Sequence, residues 1–120
     1  MECRRTGGIR LAHLNMPQII ELQELMEDMF GDLITTYLSD SEEKLPRLGA
    51  AINEANSALC TELSHSLKGS SANIYAEDLS ALLKNIEDLA RADSLESLPS
   101  CFINIEQEFK VVKTQLQALL

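Results

Sequence analysis

Along most of the chain after residue 15, apolar residues recur three and four positions apart, with polar residues between them. This spacing places the apolar side chains on one face of an α-helix. Asn15 and Pro17 suit an N-cap and an early helical position, so they predict a short first helix that runs to about residue 28. Its apolar stripe contains Ile19, Leu22, Met26 and Met29.

A second helix is predicted over residues 32–55, after a break or bend at Gly31 and Asp32. Its apolar stripe consists of Ile34, Leu38, Leu45, Leu48 and Ile52, with Tyr37 beside it. Proline lacks a backbone N–H, and its ring crowds the preceding turn of a helix. Pro46 therefore predicts either a kink over residues 42–46 or two abutting helices.

Three further helices are predicted over residues 57–75, over residues 78–92 and from about residue 99 to the C-terminus. Residues 93–98 connect the last two. The apolar stripe of the last helix contains Phe102, Ile105, Phe109, Val112, Leu116 and Leu119. Four long helices with short connections predict an all-α fold, an up-and-down four-helix bundle with a short additional N-terminal helix.

The first fifteen residues contain Gly7 and Gly8 and show no sustained periodicity, which predicts a flexible N-terminal tail. The bundle domain is then expected to span residues 16–120. His13 falls in the predicted tail, and we therefore expect it to be an ordinary residue without supporting side chains.

Composition narrows the classes of function. The formal net charge is −9, and no basic stripe with interleaved aromatic residues is present, which argues against a nucleic-acid ligand. No apolar run approaches the roughly 18 residues that would span a membrane. Cys3, Cys60 and Cys101 have no CxxC spacing, which predicts reduced thiols in a cytoplasmic protein and no metal cluster. A single four-helix core also predicts a monomer.

The third predicted helix carries the candidate chemistry. At about 100° per residue, Leu63 and Leu67 mark its buried face, and His65 lies nearly opposite them. The imidazole is therefore predicted to face solvent, where an uncharged ring has a free nitrogen able to attack phosphorus. Helical side chains lean toward the N-terminus, so Lys68 is placed to attract a phosphoryl oxygen, while Gly69 leaves the approach to the ring open.

The run from His65 to Asn73, which reads HSLKGSSAN, resembles the signature of the histidine-containing phosphotransfer (HPt) family. Residues 30–52 and 78–91 are also similar to that family. The resemblance covers roughly residues 16–120, and the position of the motif in the middle of a predicted bundle helix makes it specific.

The resemblance implies a phosphoryl carrier of a multistep two-component phosphorelay. In this role His65 is the phosphoacceptor, Lys68 stabilises the phosphoryl group and Gly69 clears the approach. The implied partners are the receiver domain of a hybrid sensor histidine kinase and that of a response regulator. No cofactor is expected in this chain, because the partner receiver domain would hold Mg²⁺. The chain has no GxxxxGK[ST] loop for ATP, and we expect it to be a carrier and not an enzyme.

The partner-binding surface is predicted on the solvent side of this helix, together with an adjacent part of the second helix. Positions within about 60° of His65 on the helical wheel are Thr61, Glu62, Lys68, Gly69 and Ala72. Two residues depart from the family pattern. Glu62 stands where relatives often have a basic residue, and it could bond the imidazole or repel the phosphate. Tyr75 stands where they often have glycine, so the helix could run on or turn differently there.

Other uses of the same residues have less support. A hydrolase would need a serine nucleophile and an oxyanion loop, but Ser64 and Ser66 point to other faces. A metal site would need more ligands than Glu62 and His65, since Cys60 projects toward the core. A phosphorylation-independent adaptor of the same architecture stays open on the sequence alone.

Overall fold

The computed structural model of the protein describes residues 13–120. This part of the chain contains five helices and no strand: α1 (Met16–Met26), α2 (Met29–Asn53), α3 (Ser57–Asn73), α4 (Glu77–Arg91) and α5 (Leu98–Gln117). Helices α2 to α5 pack in chain order, α5 closes against α2, and α1 packs on α2. The predicted four-helix bundle with an additional N-terminal helix is therefore confirmed.

Asparagine side chains begin two of the helices. The side-chain oxygen of Asn15 accepts a hydrogen bond from the N–H of Gln18 at 3.3 Å, and Pro17 lies in the first turn, as predicted. Asn56 caps α3 in the same way by accepting from the N–H of Leu59 at 3.1 Å. These bonds satisfy backbone donors that a helix N-terminus leaves without an intrahelical acceptor.

Three helices end in a residue other than glycine with left-handed backbone geometry. Ala55, Tyr75 and Asp93 have φ angles of 55°, 63° and 58° and follow α2, α3 and α4. After each of them a backbone N–H bonds a carbonyl five residues earlier, a geometry that ends a helix sharply. The prediction that α3 extends to residue 75 is therefore wrong by two residues, because the chain turns at Tyr75.

The first break lies earlier than predicted. Helix α1 ends at Met26, and α2 begins at Met29, so Gly31 lies inside α2 and does not break it. Glycine permits a break but does not force one, and here the turn is made at Glu27, which has a φ of 50°. Met29 is 65% exposed, and its predicted place on the apolar stripe of α1 is wrong because it starts the next helix.

Helix α2 continues through Pro46 as one element, so the predicted alternative of two abutting helices is wrong. The proline itself is exposed, whereas Leu45 and Leu48 on either side of it are buried. Burial of these side chains offsets the loss of the backbone hydrogen bond that proline cannot make.

Residues 13–15 pack against the bundle. Leu14 is buried, and the N–H of Asn15 donates to the carbonyl of Tyr75 at 2.9 Å. The predicted tail is therefore wrong for these three residues, because Leu14 has apolar surface to bury. Residues 1–12 lie outside the described part of the chain, and there the tail stays a prediction.

The core lies between the apolar faces of α2 to α5, with Ile19 of α1 also buried. Cys60 faces this core, as the helical wheel predicted, and Cys60 and Cys101 are both buried. Among residues 13–120, no helix has the length and apolar character that crossing a membrane requires.

Candidate functional site

Helix α3 presents His65 to solvent. Leu63 and Leu67 are buried, whereas 66% of the His65 side chain is exposed. The orientation predicted from the helical wheel is therefore confirmed. Another protein can reach the imidazole without any rearrangement of the bundle.

The imidazole contacts a buried carboxylate that belongs to α4. Atom Nδ1 of His65 lies 2.9 Å from Oε2 of Glu87, a side chain that is 3% exposed. Lys68 Nζ lies 2.8 Å from Oε1 of the same carboxylate, and Arg91 Nη2 lies 2.7 Å from Oε2. The Glu87 carboxylate thus contacts both His65 and Lys68. It also contacts Arg91, which the sequence analysis did not identify as part of the site.

Two opposing effects act on the pKa of Glu87. Burial raises the pKa, because a poorly solvated environment disfavours the charged form. The close ion pair with Lys68 and the hydrogen bonds with His65 and Arg91 outweigh burial and lower the pKa to about 2. Glu87 is therefore ionised at neutral pH.

Glu87 is the buried charged contact of His65 that the sequence analysis missed. It lies on the buried face of α4, four residues after Leu83 and three before Ala90, both of which are buried. A charged residue at a core position is rare unless it has partners. The presence of a glutamate on the core-facing side of this helix was therefore the sequence signal that could have identified it. Its partners could not be identified in the same way, because they depend on how α3 packs against α4.

A carboxylate does contact the imidazole, but it is not the one that the sequence suggested. Glu62 is exposed one turn before His65, and the observed contact is made by Glu87. The predicted alternative in which Glu62 bonds the ring is therefore wrong in this structure. A glutamate at position 62 points outward, whereas Glu87 approaches from the helix packed beside α3.

Gly69 leaves open space on α3. A Cβ atom added at this position would meet no atom within 4 Å, so packing within the bundle does not require glycine here. The other residues predicted to border the partner contact include two exposed ones, Glu62 and Ala72, and two half-buried ones, Thr61 and Lys68. Their role in binding stays a prediction.

Helix α2 reaches the same region through Lys44. Its Nζ lies 2.7 Å from Oγ of Ser66, the residue after His65, and 3.1 Å from a carboxylate oxygen of Asp40. Part of α2 therefore lies beside the exposed side of α3, and its role in partner binding stays a prediction.

Comparison with known proteins identifies the family. The family model described as Hpt domain matches residues 32–120. The chain belongs to the Hpt family. This Hpt protein is 25% identical over 107 residues to histidine-containing phosphotransfer protein 2 of Arabidopsis thaliana. The matched region covers 83% of this chain and 69% of that protein. It is 24% identical over 108 residues to histidine-containing phosphotransfer protein 1 of the same plant, with coverages of 85% and 70%.

A solved structure shows the same fold. The crystal structure of histidine-containing phosphotransfer protein B (HptB) from Pseudomonas aeruginosa PAO1 matches the Hpt protein with a TM-score of 0.86 and 33% sequence identity. The match covers 91% of this chain and 95% of that one. The family model and these relatives establish the chain as a histidine phosphotransfer protein of a phosphorelay.

The second histidine of the Hpt protein has partners that the sequence did not predict. His13 Nδ1 lies 2.7 Å from Oε2 of Glu108, and ligand atoms of His13, Asp78 and Glu108 lie within 4.8 Å of one another. Burial raises the pKa of Glu108, against the hydrogen bond and charge of His13. The expectation that His13 lacks supporting residues is wrong, because folding brings Asp78 of α4 and Glu108 of α5 beside it. These three residues could accept a metal ion by type and spacing.

Proposed function

We propose that the Hpt protein accepts a phosphoryl group on His65 from a phosphoaspartate in the receiver domain of a hybrid sensor histidine kinase. It then passes the group to the receiver domain of a response regulator. The exposure of His65 carries this proposal: its ring is held by Glu87 and yet is two-thirds exposed, so a partner's phosphorus can approach it.

The chemistry of each transfer is an exchange of one bond to phosphorus. A ring nitrogen of His65 bonds to phosphorus while the bond from phosphorus to the aspartyl oxygen breaks, and that oxygen keeps the electron pair. The transfer to the response regulator runs in the opposite sense. Because an ammonium has three N–H donors, Lys68 can remain bonded to Glu87 and still donate to a phosphoryl oxygen.

The receiver domains are expected to supply the metal ion for the transfer. In this proposal Mg²⁺ is held by the receiver, where it offsets the charge on the phosphoryl oxygens, and the Hpt protein acts as a carrier without kinase machinery. Thr61, Glu62 and Ala72 are proposed to border the contact, with Gly69 leaving space for the receiver. We expect the protein to act as a monomer in the cytoplasm.

The test uses the fact that the chain contains two histidines. The full chain is incubated with a receiver domain phosphorylated on its aspartate, and an acid-labile, alkali-stable label is measured. We expect wild type and His13→Gln to gain the label and His65→Gln to gain none. His13→Gln is the matched control, because it makes the same chemical change at the other histidine.

Two results would contradict the proposal. Retention of the label by His65→Gln would place the phosphoryl group elsewhere. If the wild type gains no label from a receiver that phosphorylates another Hpt protein, phosphoacceptance fails. Binding of that receiver without labelling would instead identify a phosphorylation-independent adaptor.

A further inference from the structure

We propose that His13, Asp78 and Glu108 form a binding site for a divalent transition-metal ion of the Zn²⁺ kind, and that the bound ion ties the segment before α1 to α4 and α5. The three residues offer one nitrogen and two carboxylate oxygens, and these ligand atoms all lie within 4.8 Å of one another. The site shares no residue with the contacts of His65, so this proposal does not rest on the proposed phosphoryl transfer. It departs from the sequence-based expectation of a chain without a metal.

Each of the three ligands comes from a different part of the fold. His13 precedes α1, Asp78 lies in the first turn of α4, and Glu108 lies within α5. Helices α4 and α5 pack against each other and so fix the two carboxylates. The segment before α1 is held beside them by the burial of Leu14 and by the backbone hydrogen bond that Asn15 makes to the turn after α3. The residues that follow His13 therefore hold it in place.

The surroundings of the two carboxylates favour a cation. Asp78 is 5% exposed, and the Glu108 side chain is 11% exposed. Burial and the negative charge of Asp78 raise the pKa of Glu108, and the hydrogen bond and charge of His13 only partly oppose this. A divalent ion would place two positive charges between the carboxylates and would stabilise both in the ionised form.

The donor atoms select the class of ion. An imidazole nitrogen is a common ligand of Zn²⁺ and other first-row transition ions, whereas Mg²⁺ and Ca²⁺ take oxygen ligands. Three protein ligands leave at least one coordination position for water. The His13 side chain is 26% exposed, which gives the ion and its water access from solvent.

Binding requires only small movements of the ligand atoms. Atom Nδ1 of His13 lies 2.8 Å and 2.7 Å from the two carboxylate oxygens of Glu108. Bonds of about 2.0–2.1 Å to a tetrahedral ion place neighbouring ligand atoms roughly 3.3 Å apart, so the ring and the carboxylate would separate by about 0.6 Å. The proton shared between them would leave Nδ1, either for Nε2 or for solvent, because a nitrogen ligand needs its lone pair.

The test titrates metal into the full chain, prepared without an affinity tag and freed of metal by a chelator. Calorimetry measures the binding of ZnCl₂ and of MgCl₂ separately, and NMR records the ring nitrogens of the two histidines. His13→Gln removes the nitrogen ligand. Two matched controls are His65→Gln, which removes the other histidine, and Glu106→Gln, which neutralises an exposed acid two residues before Glu108.

We expect the wild type to bind a single equivalent of Zn²⁺ and His13→Gln to bind it roughly 100-fold more weakly. His65→Gln and Glu106→Gln should bind Zn²⁺ as the wild type does, and Mg²⁺ should bind far more weakly than Zn²⁺. Zn²⁺ should shift the ring signals of His13 and leave those of His65 unchanged. At a free Zn²⁺ concentration of about 100 times the dissociation constant, the thermal midpoint should rise by roughly 10 °C, because the unfolded chain lacks the site.

Wild-type affinity for Zn²⁺ in His13→Gln would overturn the proposal, as would a wild type that binds no Zn²⁺. Loss of Zn²⁺ binding in His65→Gln would place the ion at the phosphotransfer site and would also overturn it. Binding of Mg²⁺ as tight as that of Zn²⁺ would contradict the class of ion. If His13→Gln does not fold, the wild-type ring signals decide which histidine binds the ion. None of these measurements needs a phosphorylated partner.

Discussion

The hydroxyl of Tyr37 lies 2.8 Å from Oγ of Ser71 and joins α2 to α3 on the buried side of the helix whose exposed side carries His65. Burial raises the pKa of the Tyr37 phenol, although the hydrogen bond with Ser71 opposes this effect. The structure shows a directional contact, which helps to set the rotation of α3 and so the direction in which His65 points.

Loss of either hydroxyl should therefore destabilise the bundle. We expect Tyr37→Phe and Ser71→Ala each to lower the free energy of unfolding by about 1 kcal/mol, because the remaining hydroxyl is buried without this partner. The double variant should lose less than the sum of the two single changes, with a coupling energy of about 1 kcal/mol. Urea unfolding of the four proteins measures this coupling, and strictly additive losses would contradict the contact.

Gly69→Ala should separate stability from function. Because a Cβ at Gly69 meets no atom within 4 Å, alanine should stabilise α3 by up to about 1 kcal/mol. The same methyl group would narrow the approach to His65, so phosphotransfer should slow, and Gly69→Trp should slow it further.

Gly31→Ala is the matched control for this change. Gly31 also lies in a helix with open space around its Cβ position, so alanine should stabilise α2 and leave transfer unchanged. Urea unfolding and transfer rates would be measured for all variants. A Gly69→Trp protein that transfers at the wild-type rate would rule out the clearance role.

Ala55→Gly should stabilise the protein. Ala55 is exposed and has a φ of 55°, a conformation that glycine adopts without strain. We expect a gain of about 1 kcal/mol in the free energy of unfolding. Ala81→Gly, at an exposed position inside α4, should instead lose about 1 kcal/mol. Thermal unfolding of the two variants compares them directly, and a loss of stability in Ala55→Gly would contradict the prediction.

Stability should fall in acid because of Glu87. Its pKa is about 2 in the folded protein and 4.5 as the reference value, so between these pH values the unfolded state binds more protons. The stabilisation is therefore complete above about pH 4.5 and is lost as the pH falls toward 2, by up to about 3 kcal/mol.

Glu87→Gln should flatten this part of the curve of unfolding free energy against pH, whereas Asp88→Asn should keep it. Urea unfolding at a series of pH values between 2 and 6 measures the slope. An unchanged slope in Glu87→Gln would show that other carboxylates account for the acid sensitivity.

Much of the fold was predictable because helical periodicity is a local property. The positions of α3, α4 and α5 followed from apolar residues three and four apart, and Asn15 marked the start of α1 through a bond to a nearby backbone N–H. Predictions from single residues failed where the same residue is compatible with either a break in the helix or a continuous helix. Gly31 suggested a break that the chain makes at Glu27 instead, and Pro46 lies within a continuous helix because its neighbours are buried.

The exposure of His65 could be predicted from the sequence alone. The burial of Leu63 and Leu67 requires the opposite face of α3 to be exposed, and His65, Lys68 and Gly69 lie close together on that helix by spacing. Only the tertiary structure decided what holds the imidazole. Glu87 follows His65 by 22 residues, and Glu108 follows His13 by 95. Such contacts depend on the rotation and axial offset of whole helices, which packing of the entire core determines.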